Sequence, residues 1–263
     1  MNALPRKPVA GRLVILPSFN SGSLLVQTAR AVLETGAPVW VVLDGSTDTS
    51  VREIQELSAS VPGLKVITLE KNHGKGGAAL IAMEAASRAG YTHALIMDAD
   101  GQHPAASIPE FFALSERDPA AMILGVPVFG PDAPAERVKG RRVGNGFTHL
   151  ETLWGGIEDS LFGFRLYPLE PALAIMHSIA SARRFDFDTE LAVRMFWSGI
   201  RPINRPVPVT YPPRQDGGVT HFRYLRDNLL LARTHARLCV LLLPRLWRVW
   251  KLRRKWLSQN DNS

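Results

Sequence analysis

Residues 93–104 read His-Ala-Leu-Ile-Met-Asp-Ala-Asp-Gly-Gln-His-Pro. Ala94 to Met97 is a short apolar run with the character of a buried strand. Two acids, Asp98 and Asp100, follow it with one small residue between them. At the end of a strand, side chains at i and i+2 point to the same side of the sheet. Two carboxylates held that close repel each other unless a cation sits between them. Mg2+ or Mn2+ suits such oxygen ligands and keeps coordination positions open for a diphosphate. Gly101 leaves room for a bulky ligand, and Pro104 ends the turn. Asp-X-Asp before Gly is also an ordinary polar turn or helix cap, so the remaining sequence has to decide between the two.

Three other groups of residues carry possible chemistry. Gly74-Lys75-Gly76-Gly77 opens a helical stretch. It is either a phosphate-cradling helix start or a simple glycine-rich helix entry, and its spacing excludes a P-loop. Asp188 and Glu190 precede the apolar helix Leu191 to Trp197. Acids there favour a helix N-terminus electrostatically. They also suit a base that takes a proton from a hydroxyl acceptor; a phosphate acceptor, already anionic, needs none. His103 and His221 are either metal or phosphate ligands or satisfied polar residues.

Positioning these groups requires strands. Arg12 to Pro17, Val39 to Leu43, Leu64 to Leu69 and Ala94 to Met97 read as strands, and Leu24 to Thr35, Asp48 to Ser60 and Ala78 to Ala89 as helices between them. This alternation predicts an α/β domain with a mostly parallel sheet between helices. In such sheets ligands bind beyond the carboxyl ends of the strands. Pro17-Ser18-Phe19-Asn20, Asp44-Gly45-Ser46 and Asp98-Ala99-Asp100 all fall at such ends. The second half is less regular. Met122 to Val128 reads as a strand, Arg137 to Trp154 and Asp188 to Ser198 as helices, and Ile200 to Val209 as a proline-interrupted edge.

Composition sets further bounds. The 263 residues are 46% hydrophobic, enough for one large domain with an extension. Cys239 is the single cysteine, which excludes an intramolecular disulfide and a cysteine metal cluster. The first residues lack the apolar core of a secretory signal, and no apolar run approaches membrane-spanning length. The expected location is therefore cytoplasmic. Charge is uneven. Residues 1–220 carry 21 Lys/Arg against 22 Asp/Glu, whereas residues 221–257 carry ten Lys/Arg against Asp227 alone. In that tail Phe222, Leu225, Leu229, Ala232 and Ala236 share one helical face and Arg223, Arg226, Arg233 and Arg237 another. Trp247, Trp250 and Trp256 then stand among arginines. Trp and Arg with Leu is the composition of a helix lying in the headgroup layer; the alternative is a first helix packed on the domain with a solvated tail behind it.

The motifs Pro17-Ser18-Phe19-Asn20, Asp44 to Asp48, Gly74 to Gly77, Asp98 to His103, Asp159 to Arg165 and Phe185 to Glu190 occur in that order. As an ordered set they resemble the family 2 glycosyltransferases of GT-A fold, above all the dolichyl- and polyprenyl-phosphate mannosyltransferases and their bacterial relatives. The resemblance covers residues 11–220. It implies a tail over 1–10, a catalytic domain over 11–220, and a basic, membrane-associating helical extension over 221–263.

The resemblance implies that Pro17 and Phe19 line the base and ribose pocket and that Asp44 binds nucleobase or ribose. Lys75 and Ala99 lie near the nucleotide. Asp98 and Asp100 flank metal and donor, with Gln102 as a further ligand. Arg214, before Gly217-Gly218, faces the diphosphate or the acceptor phosphate. Many relatives have two acids where this chain has Leu43-Asp44. An arginine often found after the fifth strand is replaced around Pro127, which leaves phosphate binding to Arg141, Arg142 or Arg214. The expected activity is metal-dependent, inverting hexose transfer from a nucleotide-diphosphate sugar to a polyprenyl phosphate or other lipid-linked acceptor, at the inner face of the cell membrane. Transfer to a hydroxyl of a lipid or glycan is the alternative. Nucleotidyl transfer wants a basic glycine-rich loop after the first strand, where Pro17 to Gly22 stands instead. A nucleic-acid partner finds no recognition motif in the body of the chain.

Overall fold

The computed structural model describes residues 11–130, 135–209 and 224–260. Seven strands form one sheet: β1 (Arg12–Ser18), β2 (Val39–Asp44), β3 (Leu64–Leu69), β4 (His93–Met97), β5 (Met122–Phe129), β6 (Phe164–Pro168) and β7 (Pro202–Val209). Their order is β3-β2-β1-β4-β6-β5-β7. The first four run parallel, β6 is antiparallel to both β4 and β5, and β5 pairs parallel with β7. The strand with three prolines, β7, takes an edge, where missing amide donors cost least.

Nine helices surround the sheet among the described residues: α1 (Ser23–Glu34), α2 (Ser50–Ser60), α3 (Lys75–Arg88), α4 (Ile108–Arg117), α5 (Ala135–Glu151), α6 (Leu169–Ser178), α7 (Phe187–Trp197), α8 (Tyr224–Leu242) and α9 (Leu246–Asn260). Side chains alternate across each strand, so each strand serves two cores. Val14, Leu16, Val41 and Leu43 pack with α1, α2 and α4 on one face. Leu13, Ile15, Val42 and Ile96 pack with α3, α6, α7, α8 and α9 on the other. Ala78, Ala79, Ala82 and Ala86 give α3 a small-residue face against the sheet.

Both late helices join the second core, through Leu238 and Leu242 of α8 and Val249 and Trp256 of α9. Trp256 is thus mostly packed against protein, whereas Trp247 is exposed. On α8 the stripe Leu229, Ala232 and Ala236 faces outward, while Asp227, Thr234 and His235 are buried. Among the described residues no helix is long and apolar enough to cross a membrane.

Candidate active site

The carboxyl ends of β1 and β2 are stitched together by polar contacts. Asn20, at φ 48, accepts the Thr47 amide on its side-chain oxygen at 2.8 Å. The Ser46 hydroxyl donates to the Ser18 carbonyl at 3.2 Å. Pro17 and Phe19 lie half-buried at this seam. Asp44 ends β2 with its carboxylate accepting the amides of His73 at 2.7 Å and Gly74 at 2.8 Å. Burial pushes the Asp44 carboxyl up, and those two amides oppose the rise. Asp44 therefore fixes the loop that carries Lys75.

The glycines of that loop serve packing. Gly74 has φ +80, and a side chain there would strike the Arg183 carbonyl. A Cβ on Gly76 would meet the Ala182 carbonyl and the Phe187 side chain. The Gly77 amide is used on the Arg183 carbonyl at 3.1 Å. The glycine-rich entry thus lets the start of α3 press against residues 182–187; a phosphate would have to displace the Arg183 carbonyl to reach the Gly77 amide.

Lys75 is the hub. Its Nζ stands 2.6 Å from Asp98 Oδ1 and 2.6 Å from Asp188 Oδ2, with 9% of its side chain exposed. Burial alone would lower the Lys75 pKa; the two carboxylates outweigh it and hold the ammonium well above its ordinary value. Burial would conversely raise Asp98, but Lys75 and His103 drive it well below the usual carboxylate range. The second oxygen of Asp98 faces His103 Nε2 at 3.3 Å. The His103 ring stands edge-on to Phe162, with centroids 4.6 Å apart. Gly163 closes the wall: a Cβ there would fall on Asp98 Oδ2 and Lys75 Nζ.

Asp100 is different. It accepts the Gln102 amide at 3.1 Å. Burial and the neighbouring charge of Asp98 push its carboxyl up. A divalent cation would remove that repulsion, so the donor set of Asp98 and Asp100 fits one. Among the described residues no group of three or more His, Cys, Asp or Glu forms a closed metal site. A cation held here would therefore complete its shell from the ligand, as Mg2+ commonly does with a substrate diphosphate. Gln102 lines the same pocket as Asp98.

That pocket is also lined by Phe129, Arg141, Leu161, Phe162 and Val209. Arg141 Nη1 pairs with Asp159 Oδ1 at 2.7 Å, and Asn145 donates to the other oxygen at 2.9 Å. The amides of Leu161 and Phe162 also donate to Asp159. The fully buried Arg165 donates to the Asp159 carbonyl at 3.0 Å and the Asp188 carbonyl at 2.6 Å. This scaffold holds Gly163 against Lys75. Burial would raise Asp159, yet Arg141 and Asn145 keep it below its ordinary value of 3.8. We expect Asp159→Ala to cost about 3–5 kcal/mol at neutral pH, since the buried partner charges lose their mate. A depressed carboxylate contributes stability above its unfolded pKa and loses it as pH falls through the folded value. The melting-temperature gap between wild type and variant should accordingly narrow from pH 7 to pH 3.

Of the residues singled out from the sequence, the structure brings Asp98, Asp100, Gln102, Lys75 and Asp188 together, with Asp44 one loop away and Ala99 buried between the two acids. Glu190 lies in another cluster, fully buried between Arg194 at 2.8 Å and Arg237 of α8. Arg214 and His221 lie outside the described residues. Sequence reasoning gave no role to Gly163, Asp159 or Arg165. Their only signal was the Asp159-to-Arg165 motif.

The profile described as Glycosyl transferase family 2 matches residues 13–184. The chain belongs to that family. Glycosyltransferase AglJ of Haloferax volcanii is 25% identical over 226 residues, spanning 82% of this chain and 67% of that protein. Polyprenol monophosphomannose synthase of Mycolicibacterium smegmatis is 26% identical over 218 residues, 80% of this chain and 81% of the relative. The fold matches the crystal structure of glucosyl-3-phosphoglycerate synthase from Mycobacterium tuberculosis in complex with Mn2+ and uridine-diphosphate-glucose. The TM-score is 0.59 at 18% identity, over 89% of this chain and 78% of that one. The architecture is thus GT-A-like, and the protein is a family 2 glycosyltransferase.

Proposed function

We propose that this glycosyltransferase moves a hexose from a nucleotide-diphosphate sugar to a polyprenyl phosphate or similar lipid-linked phosphate, with inversion. One observation carries the choice of acceptor. Among the described residues Asp98 is the only carboxylate lining the pocket, and Lys75 and His103 hold its carboxyl so far below the usual range that it is a poor base. A hydroxyl acceptor needs a base. Asp188 bonds Lys75, and Glu190 is enclosed by two arginines. A phosphate acceptor needs no deprotonation, and Arg141, held by Asp159 through Nη1, lines the pocket among the apolar side chains Phe129, Leu161, Phe162 and Val209, where its remaining donors suit an anion.

In this reading an acceptor phosphate oxygen attacks the anomeric carbon as the bond to the donor diphosphate breaks, and the electron pair leaves with the nucleoside diphosphate. Pro17, Phe19, Asp44 and Ala99 hold the nucleoside side. Asp98, Asp100 and Gln102 would hold Mg2+ or Mn2+, which would neutralise diphosphate charge. Lys75 fixes Asp98 in place, and Arg141, with Arg214, orients the acceptor. The names of the relatives support a polyprenol-type acceptor and the Mn2+ complex of the structural neighbour supports a divalent ion. The basic segment over 221–263 would keep the enzyme peripheral on the inner face of the membrane.

The test is transfer from a panel of uridine- and guanosine-diphosphate sugars, with Mn2+, to polyprenyl phosphate and to a lipid bearing only hydroxyls. The expected product forms on the phosphate and is labile to mild acid, and Asp188→Asn keeps a measurable rate. An acid-resistant product, with Asp188→Asn slowed by the roughly 10²–10⁴-fold of a lost general base, would overturn the acceptor assignment.

A further inference from the structure

Two packed helices of this protein bury polar side chains between them and leave apolar ones exposed. Along α5, Val143, Phe147 and Leu150 are exposed, with Trp154 just beyond the helix end, while Thr148, Glu151 and Thr152 are buried. Along α8, Leu229, Ala232, Ala236 and Val240 face outward, and Asp227, Thr234 and His235 are buried. A surface helix in water orients the other way; α5 is inverted in this sense, whereas α8 also sends Leu238 and Leu242 into the core and shows Arg226 and Arg233 on its outer face. The seam between them is polar and specific. His235 Nδ1 stands 2.8 Å from Glu151 Oε1, and the His235 ring stacks on Phe147 at 5.2 Å and 25°. The apolar stripes flank that seam, so the orientation is built in by partners and is not a loose docking.

The end of α5 adds a second observation. Leu153 and Trp154 both sit in the left-handed region, at φ 51 and φ 58. Bulky residues avoid it, and they persist there only where the surrounding structure holds them. The Trp154 amide reaches back to the His149 carbonyl at 2.7 Å, which holds the turn. The result is a tryptophan 59% exposed just past the end of the α5 stripe. Scattered exposed apolar residues need no explanation; aligned stripes with a strained, projecting tryptophan mark an interaction face.

Charge identifies what covers it. On α9 the exposed Trp247 stacks on Trp250 at 4.9 Å, with Lys251 Nζ 5.0 Å from the Trp247 ring and Arg254 4.9 Å from the Trp250 ring. Arg248, Lys251, Arg254 and Lys255 are exposed. Arg245, just before α9, lies 5.6 Å over the Trp197 ring, and Trp197 Nε1 donates to the Glu151 carbonyl at 2.8 Å, so the basic helix begins beside the end of α5; a second copy docked there would bring two strongly basic segments together, which repel. Apolar side chains beside tryptophan and basic residues match an anionic headgroup layer.

We propose that the α5–α8 face, with Trp154 at its end, inserts into the headgroup layer of an anionic membrane. The attachment then belongs to the catalytic domain as well as to the basic segment, and it is hydrophobic as well as electrostatic. The same helix carries Arg141, so insertion through α5 brings the pocket to the lipid. This last consequence rests on the lipid-phosphate reading; insertion itself does not.

The test is sedimentation with phosphatidylcholine vesicles holding a quarter phosphatidylglycerol, in 0.1 M and 1 M NaCl. The double variant Leu150→Gln with Trp154→Asn leaves the basic segment intact, and asparagine tolerates the left-handed backbone. Unchanged melting temperature and unchanged transfer in detergent verify its fold. We expect wild type to retain binding in 1 M NaCl, where charge is screened, and the variant to bind about tenfold more weakly or less, from the loss of two large apolar side chains. Equal binding by both proteins, loss of all wild-type binding in 1 M NaCl, or a wild-type dimer that the variant dissolves without change in vesicle binding would each overturn the proposal. Vesicle binding without transfer to polyprenyl phosphate would instead refute the acceptor reading alone.

Discussion

Lys75→Ala should be the most damaging single substitution in the site. It removes the one cation bridging Asp98 and Asp188, at 2.6 Å from each. Two carboxylates from segments ninety residues apart in sequence would then face each other, Asp188 buried and Asp98 32% exposed. Breaking a buried ion pair by deleting one partner typically costs about 3–5 kcal/mol. For a chain of this size that is a melting-temperature drop on the order of 10 °C. Activity should fall further than stability explains, because Asp98 loses the group that fixes its orientation. A Lys75→Met, Asp188→Asn double variant separates the two effects. Neutralising both partners should recover much of the stability, since the uncompensated Asp188 charge is gone, while turnover stays low. Thermal unfolding beside a transfer assay reads both; recovered turnover in the double variant would show that Lys75 acts on stability alone.

Asp100→Asn should have the second large effect, of opposite character. Asp100 accepts the Gln102 amide, and burial with the charge of Asp98 pushes its carboxyl up. Neutralising it relieves repulsion, so the fold should hold or gain slightly. If Asp100 is a metal ligand, its loss should weaken divalent-ion affinity on the order of 100-fold or more, beyond the 10–100-fold of outer-shell changes. Turnover at fixed Mn2+ should fall with it and recover in part at high Mn2+. Full activity at low Mn2+ would remove Asp100 from the metal site.

The sequence pattern carried the strands well, because buried strands bounded by glycine, proline and acids leave a clear trace. β1 to β5 and β7 fall where the apolar runs place them. The helices α4 and α6 went unpredicted. Each is only ten residues long, which leaves fewer than three turns of period to recognise, and the prolines in their first turns, Pro109 and Pro171, are compatible with a helix start. The acid pair was legible for the same reason as the strands: two residues of period after β4 fix its geometry. The Lys75–Asp188 contact was not, since nothing local links residues 113 positions apart. Glu190 illustrates the converse error. Its place in the first turn of α7 was visible, but Arg237, which encloses it, arrives from α8. Periodicity also divided α8 into faces without saying which one the protein would cover; buried partners such as Glu151 and Asp186 decided that.

The most direct test of the site is calorimetric titration of uridine or guanosine diphosphate into the full chain, with Mn2+ and with excess chelator, for wild type and Asp98→Ala. Unlike transfer, it needs no acceptor. We expect at least one nucleotide to bind wild type in Mn2+, to bind about 100-fold more weakly in chelator, and to bind Asp98→Ala equally weakly in both conditions. Wild-type affinity that is the same with Mn2+ and with chelator, or unaffected by Asp98→Ala, would contradict a metal-bridged donor site at the end of β4.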